Sequence, residues 1–247
     1  MVSIWQTTQP YLSVSWRASE NPVSASIEKI RETVRLVTEL GPPFDGSWRV
    51  TRWDSRQGES EEFDELTDDR LQELILLGVD RNHDGSPYPA GGYTLSMTNE
   101  PTGGVSATLR LSIGAESDQS GSGSLTVGLR PVDEEVTIDL TASLGAAGRD
   151  LLGALVVLWG ASEGMLGVAK ANRPQRRFAD RLGMITFMAN RAVTFPETML
   201  PAGVAVTSED DDLWVEVESG TLDTVAVADS IVEASRAIQV AGGLSKP

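Results

Sequence analysis

The chain has 247 residues and no cysteine, which excludes disulfides, thiolate nucleophiles and cysteine-ligated zinc. Hydrophobic residues make up 40%, enough to build a core. With 36 Asp and Glu against 20 Lys and Arg, the formal charge is −16, a field that repels nucleic acid and attracts basic partners.

The first strand is expected at Pro10–Trp16, where Tyr11, Leu12, Val14 and Trp16 cluster. A helix follows over SASIEKIRETVRLVTELG, because Ile27, Ile30, Val34, Val37 and Leu40 recur at spacings of three and four. Gly41 and the pair Pro42-Pro43 end it. A short strand is expected at Trp48–Trp53. Residues 54–69 hold Asp54, Glu59, Glu61, Glu62, Asp64, Glu65, Asp68 and Asp69 against Arg56 alone, and read as a mobile acidic loop. Thr67 caps the next helix, which carries Leu71, Leu74, Ile75 and Leu77 and stops at Gly78.

Beyond a turn-rich segment the period changes. Tyr93–Asn99 reads as a strand. Val105, Ala107, Leu109, Leu111 and Ile113 alternate with polar residues, which predicts a sheet with one wet face. Leu125, Val127 and Leu129 alternate likewise, so strands near 105–114 and 123–130 should form a hairpin. An apolar helix is expected near Ala142–Gly160. Then come a strand at Met165–Ala169, a basic patch of Lys170, Arg173, Arg176, Arg177 and Arg181 on a short helix opened by Pro174, and strands at Gly183–Asn190 and Leu213–Val217. The last helix spans about Thr224–Val240, with Val225, Ala228, Ile231, Val232, Ala234 and Ile238 inward. Helices and strands segregate, which favours an α+β fold with antiparallel sheet and flanking helices. It is read as a single domain over 1–247, with 1–131 and 132–247 as possible lobes.

Membrane insertion is not expected. The longest apolar-rich run, near Leu151–Trp159, is interrupted by Gly153 and falls far short of the roughly 20 residues that span a bilayer. The opening MVSIWQTTQPYLSVSW has no basic patch ahead of an apolar stretch and no cleavage-site pattern, so a cytoplasmic location is expected.

Catalytic signals are sparse. The one histidine, His83, lies in the polar turn RNHDG, and no GxSxG elbow is present. Asp80-Arg81-Asn82-His83-Asp84-Gly85 matches the first six positions of a calcium-binding loop. The twelfth position is Gly91 instead of a bidentate Glu, and Pro87 and Pro89 oppose an exiting helix. The same residue types build Asx turns, so a structural turn is the favoured reading. A divalent-metal enzyme using Asp80 and Asp84 is the alternative from another class. No cofactor and no metal are expected. A second acidic region, Glu209, Asp210, Asp211, Asp212, Glu216, Glu218 and Asp223, surrounds a strand on which Trp214, Glu216 and Glu218 share a face. Trp among carboxylates is the anchor-plus-charge combination of binding hot spots.

Several phrases along the chain resemble the immunity protein 52 family of bacterial polymorphic toxin systems. They are Trp16-Arg17, Trp48, Gly78 with Arg81 and Asp84 in GVDRNHDG, Gly92-Tyr93 with Asn99, Leu129 and Pro131, Trp159, Gly183–Phe187, Leu200-Pro201 and Trp214. The resemblance covers roughly residues 11–240. It implies a cytoplasmic antitoxin that docks on a cognate toxin with a restriction-endonuclease-like nuclease core. On that reading Glu59, Glu61, Glu62, Asp64, Glu65, Glu209, Asp210, Asp211, Asp212, Trp214 and Glu216 contact the toxin, with Trp214 as anchor. An adaptor or chaperone for a secreted effector is the second binding reading.

Overall fold

Alternation in the strand β1 (Pro10–Arg17) sets the layers. Leu12, Val14 and Trp16 are buried, while Tyr11, Ser13 and Ser15 on the other face are half-buried. A computed structural model describes residues 10–17, 23–53, 58–114, 122–132, 147–178, 181–193, 199–209, 211–218 and 224–245. The elements that follow are α1 (Val23–Thr38), β2 (Trp48–Thr51), β3 (Ser60–Glu62), α2 (Asp68–Leu77), β4 (Tyr93–Asn99), β5 (Val105–Ile113) and β6 (Ser122–Pro131). The second half holds α3 (Ala147–Trp159), β7 (Glu163–Val168), α4 (Ala169–Asn172), β8 (Ile185–Met188), β9 (Ala192–Val193), β10 (Val204–Glu209), β11 (Asp212–Val217), α5 (Thr224–Ala241) and β12 (Leu244–Ser245).

Ten strands make one antiparallel sheet in the order β10-β11-β8-β7-β1-β6-β5-β4-β2-β3, and β12 pairs with β9 separately. The fold is therefore α+β with an antiparallel sheet, as the segregation of elements predicts. β1 pairs with β6 on one side and β7 on the other, so the sheet runs unbroken across the two candidate lobes.

The β1 face that carries Trp16 packs on helices. Trp16 stacks on Trp159 of α3 with ring centroids 4.4 Å apart and planes 16° apart. The Trp159 Nε1 donates to Thr33 Oγ1 of α1 at 3.0 Å, which ties the two helices together. Trp16 has this room because position 123 opposite it is glycine. A Cβ there would lie 2.0 Å from the Trp16 Nε1. In α1 the buried set includes Ile27, Ile30, Val34 and Val37, the periodic positions of the sequence. Helix α2 packs against α1 and β4.

On the opposite face the two halves differ. The Tyr11 hydroxyl donates to Asn172 Oδ1 of α4 at 2.7 Å, and α5 packs against α4, β7 and β11. Burial raises the pKa of that phenol, against the lowering by Asn172 and Arg181. Over β4, β5 and β6 the same face presents Thr94, Ser96, Thr98, Thr108, Arg110, Ser112, Ser124 and Thr126, all half-buried or exposed. This is the wet face that the alternation predicts.

Two buried amides lock the connections. Gln175, in the 3-10 turn Pro174–Arg177, donates to the Ala171 and Leu182 carbonyls at 3.1 and 2.9 Å. Its Oε1 accepts from Leu182 N and from Ser235 Oγ of α5, at 2.7 and 2.6 Å. Asn99 donates to the Pro43 carbonyl at 2.7 Å and accepts from Ala107 N at 2.6 Å.

Several expectations change. The acidic stretch read as a mobile loop contains β3 and a 3-10 turn, Phe63–Glu65, anchored by buried Phe63. Residues 54–57 lie outside the described residues. Ahead of the expected strand at Leu213–Val217 lies a strand the sequence did not predict, β10, which pairs with β11 in a hairpin. Helix α1 ends at Thr38, short of Leu40. Residues 142–146, expected at the start of α3, lie outside the described residues, as does the side chain of Val225.

Candidate functional site

The two acidic segments occupy opposite ends of the ten-stranded sheet. Strand β3 is one edge and β10 the other. Nine spacings of ~4.8 Å put them about 43 Å apart along the sheet. They form two rims and not one patch.

At the β3 rim most carboxylates are held by arginines of neighbouring elements. Glu59 pairs with Arg52 at 3.2 Å. Glu61 pairs with Arg70 of α2 at 2.6 Å and with Arg52 at 3.7 Å. Glu62 pairs with Arg49 of β2, whose Nε also donates to Ser60 Oγ at 2.9 Å. Hydrogen bonds that Arg70 donates to Glu61 and Glu73 push its pKa upward, so this cation stays charged. Arg31 lies over the Phe63 ring, 5.5 Å from its centroid, and pairs with Asp68 at 2.8 Å. Thr67 accepts from Arg70 N, the expected cap. Asp64 and Glu65 are exposed and make no ion pair with a described residue.

At the β10–β11 rim Arg149, in the first turn of α3, gathers the charges. It pairs with Glu216 and, at 3.2 Å, with Glu209. Its guanidinium also lies over Trp214, 4.6 Å from the ring centroid. Trp214 is only 8% exposed, with Phe187 packed at 5.0 Å. The expected protruding anchor is therefore a buried side chain. Alternation correctly placed Trp214 with Glu216, but α3 covers their face, and Leu213, Val215 and Val217 opposite are buried as well. Asp211 stands at a left-handed φ of 70° beside the turn. Asp212 accepts from Asn190 N at 3.2 Å. Asp211 and Glu218 are exposed and make no ion pair with a described residue. Asp210 and Asp223 lie outside the described residues.

The 80–85 turn is exposed throughout. Asp84 Oδ1 accepts from the Ser86 hydroxyl at 2.6 Å and from its amide at 2.9 Å, which holds the carboxyl below the usual range. Arg81 Nη1 donates to the Gly85 carbonyl at 2.9 Å, and Asp80 accepts from Arg81 N. These are the local bonds of an Asx-type turn. Among the described residues no group of three or more His, Asp or Glu could hold a metal ion.

The residues that carry the family resemblance are mostly structural. Trp16, Trp48 and Trp159 are buried, and the Trp48 Nε1 donates to Thr38 Oγ1 at 3.1 Å. Tyr93 is half-buried opposite Ile113, while Arg17 is exposed at the end of β1. Arg173, Arg176, Arg177 and Arg181 of the basic patch are exposed. Sequence reasoning missed Arg149 and Gln175. The Arg149 partners lie 60 and 67 residues away, beyond any local pattern.

The fold is shared with a solved structure. The Pseudomonas aeruginosa T6SS protein PA0821 matches at a TM-score of 0.50 and 10% identity, over 92% of this chain and 73% of that one. At such identity the likeness is one of fold. No family model matches the chain, and no curated protein matches it. No described helix is long and apolar enough to cross a membrane.

Proposed function

We propose that this chain is an immunity protein, an antitoxin that docks on a cognate toxin in the producing cell's cytoplasm and silences it by occupancy, without catalysis. The toxin is a nuclease of the restriction-endonuclease-like kind. Three things support the reading: the resemblance to the immunity protein 52 family, the fold shared with a T6SS protein, and the charge of −16. The observation that carries it is the build of the rims. Arginines hold Glu59, Glu61, Glu62, Glu209 and Glu216, while Asp64 and Glu65 project from a 3-10 turn and Asp211 and Glu218 stand at the two ends of β11.

A nuclease must hold phosphate, so its active site is electropositive, and carboxylates on an inhibitor complement that field. Ordering the rims before contact lowers the entropic cost of docking. The test is co-expression with the toxin encoded beside this gene. Restored growth is expected, and unrelieved killing at matched expression would rule the reading out.

A further inference from the structure

The outer edge of β10 is unpaired among the described residues, and its register shows which groups it offers. Glu209 pairs with Asp212 across the turn, and Glu218 N donates to the Gly203 carbonyl at 2.7 Å at the far end. Hydrogen-bonded pairs alternate along an antiparallel ladder, so 205, 207 and 209 bond to β11. Val206 and Ser208 therefore direct their N–H and C=O groups away from the sheet. Natural edges are blunted by charge, proline or bulges. The run Val204-Ala205-Val206-Thr207-Ser208 has none of these. The other edge does: β3 is three residues long, carries two glutamates, and has its Ser60 carbonyl taken by Arg49 Nη2 at 3.2 Å.

The geometry points to β10 as the site where a partner protein adds an extended strand bearing Lys or Arg at both ends. Main-chain hydrogen bonds to Val206 and Ser208 supply the pairing. The charge sits where such a strand begins and ends. Asp211, with Glu209 and Asp212, flanks one end of β10, and Glu218 lies beside Gly203 at the other. This mode of docking rests on the protein-binding reading above and narrows it to one edge.

The test needs no toxin, so its failure leaves the immunity reading to be judged by co-expression. A blocked Val/Thr peptide with lysine at each end is titrated into the full chain, beside a glutamate-ended peptide of the same length. The lysine peptide is expected to bind at least about tenfold more tightly and to protect the Val206 and Ser208 amides from hydrogen exchange. Val206→Pro removes an outward-facing N–H that the sheet does not use, so the fold should survive while peptide binding falls about tenfold or more. Amide protection in the unaltered chain decides the matter should that variant misfold. Equal binding of the two peptides, or no protection of the two amides, would overturn the proposal. Protection that rises with protein concentration in the absence of peptide would also overturn it, in favour of a second copy of this chain.

Discussion

Arg149 holds Glu209, Glu216 and the Trp214 ring at once, and nothing local in the sequence marks it. Replacing it with Met keeps the helix and the length of the side chain but removes the ion pairs and the cation–π contact. Partly exposed contacts of this kind are each worth up to about 1 kcal/mol, so Arg149→Met should lower stability by about 1–2 kcal/mol in denaturant unfolding. An unchanged midpoint would show that the hub carries no energetic weight. Asp84 gives a pH test. Hydrogen bonds from Ser86 lower its pKa in the folded state, so the stability it lends is present above the ordinary carboxylate value of about 3.9. That contribution is lost as pH falls through the lowered value. The Ser86 amide shift should titrate below about 3.9, and a midpoint at or above it would contradict the turn as described. At this scale burial was legible and cover was not. Period placed Ile27, Ile30, Val34 and Val37 inward. Alternation put Trp214 beside Glu216, but no pattern along the strand says that a helix lies over that face.

Among elements, the strands with long alternation were the most readable, because one face meets the core and the other meets water. The hairpin of β5 and β6 is the clearest case. Strand β10 was missed since only Val204 and Val206 reach the core, too short an alternation to mark a strand, and β3 since a three-residue edge rich in glutamate looks like loop. The segment Pro174–Arg177 reads from sequence as part of a basic surface helix, yet it is a 3-10 turn whose Gln175 is fully buried and joins α4, the Leu182 segment and α5. Gln175→Leu keeps the volume but strips partners from the Leu182 amide and carbonyl, while the Ser235 hydroxyl keeps the Ile231 carbonyl at 3.0 Å. Buried polar groups left alone cost about 1–3 kcal/mol each. A loss of about 3 kcal/mol or more is expected, read as a shift in the unfolding midpoint with unchanged slope. A loss under about 1 kcal/mol would mean that water replaces the amide in that network.

Across the whole molecule arginines neutralise Glu59, Glu61, Glu62, Glu209 and Glu216 at two rims about 43 Å apart along the sheet. The net charge of −16 therefore rests on the carboxylates that no cation balances. Composition revealed the excess of charge but not its arrangement, because pairing depends on which distant segments become neighbours. The rims should act separately in binding. Lysine at Asp211 and Glu218 should slow toxin association several-fold and flatten its salt dependence. Lysine at Asp64 and Glu65 should matter less if the β10 end is the contact. Equal effects at both ends would assign docking to the general field.

The most direct measurement mixes the purified chain with the purified nuclease domain of the toxin encoded beside it. Light scattering on the eluted complex should give one copy of each, and nuclease activity should vanish as the ratio reaches about one to one. Separate elution of the two proteins with cleavage undiminished would contradict the account.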